Sequence, residues 1–145
     1  MNIKTRIYEF VKEHHLAVIS TVNGQALPEA SVVGIFVKKL EHEDFEIHIA
    51  TYDSSRKAFN IKRNPRVALV IGWEHGKTVQ IEGVAEEITG LDEKDKVKWE
   101  EYPHMPTLAK HIKQEHAVML KITPKWVKYS NLSTEPWEIE ELAYG

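Results

Sequence analysis

The chain has no cysteine among its 145 residues, which removes disulfide frameworks, thiolate nucleophiles and zinc–thiolate centres from consideration. It also lacks a basic excess: 19 Lys and Arg stand against 22 Asp and Glu, a formal charge of −3. A nucleic-acid binder normally concentrates positive charge on one face. Here lysines alternate with glutamates, as on a solvated surface, so no nucleic-acid partner is expected. No apolar run approaches the ~18–20 residues of a membrane span, and residues 1–6 carry no signal-peptide core. A cytoplasmic protein without a membrane partner is therefore expected. Internal repeats and linkers are missing too. At this length, with 42% apolar content, one domain over 1–145 with a single core is expected.

What is present reads as short strands with few helices. Ile3, Ile7, Phe10 and Val11 recur at helical spacing, predicting an amphipathic helix over 4–13. A β-branched run over 16–22 ends at Asn23-Gly24, a short-turn signal. Strands are expected over 28–38 and 45–51, joined by a charged tip. A helix stopped by Asn64-Pro65 follows, then strands over 66–73 and 78–88 around a turn containing Gly76. Helices are predicted over 91–102 and 107–115, a sixth strand over 117–122, its continuation over 126–131 beyond Pro124, and a closing strand over 137–142. Helices at only three places do not suit a doubly wound sheet, which alternates strand and helix throughout. A small antiparallel barrel of six or seven strands fits better, and it also removes sheet edges.

Segment 50–67 carries the chemistry. An alternating apolar run enters a polar turn, Asp53-Ser54-Ser55, and Arg56-Lys57 open the next helix. Ser54 or Ser55 can cap that helix by accepting from amides two or three residues on. Cations in a first helical turn oppose the helix dipole by about 0.3–1 kcal/mol. An anion held by the free amides and both side chains would offset that cost. The other reading leaves both cations in solvent or paired with Asp53.

The order Thr51, Ser55-Arg56-Lys57, Asn60, Asn64-Pro65-Arg66-Val67 resembles the FMN-binding split barrel of the pyridoxamine 5′-phosphate oxidase family. The opening helix, the Asn23-Gly24 hairpin, the strand Val79-Gln80-Ile81-Glu82-Gly83-Val84-Ala85 and the strand around Trp137, Ile139 and Leu142 fall where that family has them. The resemblance implies a mainly β fold with α: a split antiparallel Greek-key barrel of six to seven strands with flanking helices. It implies that Arg56 and Lys57 grip the FMN phosphate with Ser55, and that Thr51 sits near the ribityl chain or ring edge. The strand carrying Ser31, Val32 and Val33 would turn backbone amides to the flavin ring, and Gln80 would add a side-chain amide. Members are homodimers with the flavin between subunits, so Trp126 or Trp137 would approach the partner's cofactor.

Departures from the family narrow the function. Ser31 stands where the oxidase has an arginine for its substrate, Tyr129-Ser130-Asn131 replaces a late arginine–histidine element, and no arginine follows Arg66. A phosphorylated substrate would lack its bidentate partners, so pyridoxamine phosphate oxidation is not expected. The chain looks more like the short, general-stress-protein-like flavin binders, acting on a small molecule. The histidines His14, His15, His104, His111 and His116 give no helical i, i+4 metal pair, and no metal site is expected; His14-His15 suits a helix C-terminus. A flavin-binding module without turnover, or a deazaflavin- or haem-binding relative, are the rival readings.

Overall fold

The computed structural model of the chain describes residues 2–88 and 116–145. The helices expected over 91–102 and 107–115, with His104 and His111, lie outside the described residues. Helix α1 (Ile3–Lys12) starts at Asn2, whose side chain accepts from the Thr5 amide at 2.9 Å, and buries Ile7, Tyr8 and Val11. Past its end, His14 Nδ1 donates to the Phe10 carbonyl at 2.7 Å. That imidazole satisfies a last-turn carbonyl, the role expected of it.

Eight strands form one antiparallel sheet among the described residues: β1 (Leu16–Val22), β2 (Pro28–Gly34), β3 (Phe36–Lys39), β4 (Phe45–Tyr52), β5 (Arg66–Ile71), β6 (Lys77–Glu87), β7 (Ala117–Asn131) and β8 (Glu138–Ala143). Helix α2 (Arg56–Arg63) joins β4 to β5. The hydrogen-bonded order is β2-β1-β5-β6-β7-β4-β3, with β8 on β7. In the β1–β2 hairpin, Asn23 Oδ1 accepts from the amides of Gln25 and Leu27 at 2.9 and 3.0 Å. The left-handed residue there is Ala26 (φ 62°).

The two ends of this order, β2 and β3, are neighbours in the chain. A single strand over 28–38 was expected, but the structure divides it at Ile35. Ile35 is buried, and its amide donates to the His15 carbonyl at 2.9 Å. Before it the chain pairs with β1; after it, with β4. The change of partner curls the sheet back on itself, which a straight strand could not do. Closure is incomplete, however. Among the described residues, 28–33 pair only with β1, and 49–52 only with β7. The sheet is split between those two edges, and α2 begins at the split.

The pause expected near Pro124 does not occur: β7 runs through it as one strand of 15 residues. Pro124 stands opposite Gly83 at a register shift, where the missing amide is tolerated. A Cβ on Gly83 would lie 2.6 Å from the Thr123 carbonyl oxygen, so the close approach requires glycine. Alternate residues of the strands fill the core: Ala17 and Ile19, Ile47 and Ile49, Leu69 and Ile71, Val79 and Ile81, and Ile122 and Val127 are all buried.

Candidate functional site

The segment around Ser55 folds as its residues require. β4 ends with Thr51 buried, and a short turn leads to Ser55, whose extended backbone (φ −70°, ψ 151°) makes it the N-cap of α2. Ser55 Oγ accepts from the Ala58 amide at 3.2 Å and from Thr51 Oγ1 at 2.9 Å. Thr51 therefore orients the cap, tying the end of β4 to the start of the helix. The first turn of α2 holds no acidic residue, and Arg56 and Lys57 stand in it.

The two cations differ. Arg56 is exposed, and its Nη2 pairs with Glu29 Oε2 across the split. Asp53, the partner weighed from sequence, instead lies 3.6 Å from His116 Nδ1. Lys57 is half-buried, and burial pushes its pKa down; no carboxylate among the described residues offsets this. A half-buried ammonium in a helical first turn, with no carboxylate partner among the described residues, favours an anion.

Sequence reasoning missed Glu29 and the residues behind it. Asn60 Nδ2 donates both to Glu29 Oε1 at 2.6 Å and to Thr21 Oγ1 at 3.0 Å. Asn60 and Thr21 are 6% and 2% exposed, so the carboxylate is anchored from the protein interior. Asn60 already stood in the family-like pattern, but nothing in the local sequence pointed to Glu29, which belongs to another strand.

The remaining residues of the expected site fall on two faces. Glu29, Ser31 and Val33 stand opposite Thr21, Ile19 and Ala17, the inward residues of β1. Ser31 is exposed on that side, and Val33 is buried in the core. Val32 points the other way and is 61% exposed. Across the outer face, one row runs Val32, Val18, Val70, Gln80, Lys128, and the next Ala30, Ser20, Ala68, Glu82, Trp126. Gln80 thus lies three strands from β2, about 14 Å at ~4.8 Å per strand. The structure gathers Thr51, Ser55, Arg56 and Lys57 at the split, with Ser31 on β2 beside it. It places Val32, Gln80 and Trp126 on the outer face; Trp137 is exposed just before β8.

That outer face is mixed in character. Val32 and Val84 are exposed, and a shallow depression of about 420 Å³ sets Val22, Ala68 and Val84 beside Arg66, Glu82 and Lys125 in its wall. Chemically, the split presents amides, hydroxyls, a guanidinium and an ammonium, a donor set for an oxyanion. Among the described residues there is no group of three or more His, Asp or Glu able to hold a metal ion, and no helix long and apolar enough to cross a membrane.

Comparison with known proteins bears on this arrangement. Over 76 residues the chain is 40% identical to the pyridoxine/pyridoxamine 5′-phosphate oxidase of Anaplasma marginale, covering 52% of this chain but only 33% of that protein. Among solved structures, General Stress Protein 26 of Bacillus anthracis superposes with a TM-score of 0.73 at 23% identity, covering 99% of this chain and all of the other. An FMN-binding protein of Nostoc punctiforme related to the oxidase gives 0.66 at 16% identity, covering 98% and 93%. A heme-binding protein of Mycobacterium smegmatis gives 0.73 at 13%, covering 99% of this chain and 58% of its own. These structural likenesses establish the curled-sheet fold. The family model described as pyridoxamine 5′-phosphate oxidase matches residues 3–131, nearly the whole sheet together with both helices, and the chain therefore belongs to that family.

Proposed function

We propose that the protein is a cytoplasmic, homodimeric FMN-binding flavoprotein, acting as an oxidoreductase on a small molecule other than pyridoxamine 5′-phosphate. The observation that carries this reading is the Ser55-capped first turn of α2, which holds Arg56 and a half-buried Lys57 with no carboxylate partner among the described residues. These groups suit a phosphate, and family membership with an FMN-binding structural neighbour makes FMN the phosphate-bearing group of choice.

In this reading Arg56, Lys57, Ser55 and the first amides of α2 hold the phosphate end, with Thr51 fixing Ser55. Ser31, Val32 and Val33 of β2 lie beside the ring through backbone amides, and Gln80 contributes its side-chain amide. Such donors favour negative charge on a reduced flavin, which supplies the electron or hydride chemistry when bound. A second copy of the chain covers the outer face and brings Trp126 or Trp137 towards the partner's cofactor. Trp137, 60% exposed just before β8, supports that choice, since aromatic side chains are enriched at association surfaces. The substrate is a small molecule without a phosphate, because Ser31 replaces the family arginine and no arginine follows Arg66.

Native mass spectrometry with an absorption spectrum tests this reading. Bound FMN and twice the chain mass are the expected result. A Soret band would replace FMN by haem, and a bound deazaflavin would likewise overturn the assignment. Multiple turnovers with NADH or NADPH would separate an oxidoreductase from a binding module. The double variant Arg56→Ala/Lys57→Ala is expected to bind FMN at least tenfold more weakly, a loss of about 1.4 kcal/mol. An unchanged dissociation constant would remove the phosphate from this site.

A further inference from the structure

We propose that Glu29 is a specificity-setting residue of the phosphate grip: a built-in anion that holds Arg56 and must yield it when a phosphate binds. The inference rests on the phosphate reading above. Three observations carry it. Arg56 Nη2 is paired with Glu29 Oε2, so the more exposed of the two cations is already engaged. The carboxylate is not a loose surface group, since its side chain is 21% exposed against 82% for Arg56. It is also fixed from behind through Asn60 and Thr21, which join α2 and β1 to β2. The soft member of the ion pair is therefore the arginine.

The consequence follows from charge alone. A phosphate dianion brought to the first turn of α2 meets a fixed carboxylate on the opposite lip of the split. Arg56 must then turn from one anion to the other, or bridge both. Lys57, with no carboxylate partner among the described residues, is the cation that requires no exchange. Glu29 thus lowers affinity for any phosphate-bearing ligand, and it does so in proportion to the ligand's charge. A ligand with the same ring but no phosphate is indifferent to it.

The test compares FMN with riboflavin, which lacks the phosphate, by fluorescence titration of the apoprotein. The wild-type chain is set beside Glu29→Gln, which keeps an acceptor for Asn60, and Glu29→Ala, which does not. The expected result is FMN binding three- to tenfold tighter in Glu29→Gln, with riboflavin affinity unchanged and the same sign in Glu29→Ala. A purely structural role would shift both ligands together. If the wild-type chain binds FMN and Glu29→Gln binds it equally or more weakly, the inference about Glu29 is overturned while the cofactor reading stands. If neither protein binds FMN, both fail. Should FMN bind only after the substitution, Glu29 is the element excluding it.

Discussion

The same curled sheet has two unlike sides. Where its ladders continue, as between β6 and β7, the interior is hydrocarbon: Val79, Ile81, Ile122 and Val127 are each at most 1% exposed. Where the ladder parts, between β2 and the end of β4, the buried residues include Thr21, Thr51 and Asn60. Backbone groups that find partners along a ladder leave its middle to apolar packing, with His48 and Asn131 the buried polar residues away from the split among the described residues. At the split, side-chain donors and acceptors tie β1, β2, β4 and α2 together instead, and they are the groups able to receive a ligand. One side supplies stability without chemistry, and the other gives up apolar packing for a polar grip.

The contrast can be broken experimentally. Ile81→Ala on the continuous side is expected to cost about 2–5 kcal/mol in urea unfolding, with FMN affinity unaltered in the folded fraction. A cost under about 1 kcal/mol would mean that this side is not the packed one. On the split side, Asn60→Ala leaves Thr21 and Glu29 without their shared donor and is expected to cost about 1–3 kcal/mol. Because it also frees Glu29, it should change FMN affinity, which Ile81→Ala should not. Equal effects of the two variants on binding would erase the distinction.

The smallest effect concerns Tyr144, on the continuous side, whose ring meets Phe45 edge-on at 5.7 Å. Burial, with help from Asp44 and Glu43, pushes the phenol up to about 12. A raised pKa means that the folded state favours the neutral phenol. Its stabilising contribution is complete below the unfolded value of about 10 and is lost as pH rises towards the folded value. Thermal midpoints of wild type and Tyr144→Phe should therefore diverge between pH 10 and about 12, with the phenylalanine variant falling less. Parallel curves would show that the phenol ionises as freely in the folded chain as in the unfolded one.

Much of the fold was legible because its signals are local. Alternation marked the strands, Asn23-Gly24 lay at the first hairpin, and Ser55 proved to be the cap that its spacing allowed. Arg56 and Lys57 stood out because cations there work against the helix dipole. The break at Ile35 was not legible, since residues 28–38 read as one nearly continuous apolar strand. Only the change of pairing partner from β1 to β4 divides it. The pause read at Pro124 vanished for the opposite reason: its missing amide is absorbed at a bulge opposite Gly83, which one strand alone does not reveal.

The sequence by itself determined the strand-rich architecture, the capped helix and its paired cations, and with them the family, because periodicity, capping and charge act between residues a few positions apart. The tertiary structure decided where the sheet stays open, which buried polar side chains line that opening, and which anion Arg56 already holds. Those properties depend on which strands become neighbours. The meeting of Glu29 on β2 with Arg56 on α2 exists only once the sheet has curled.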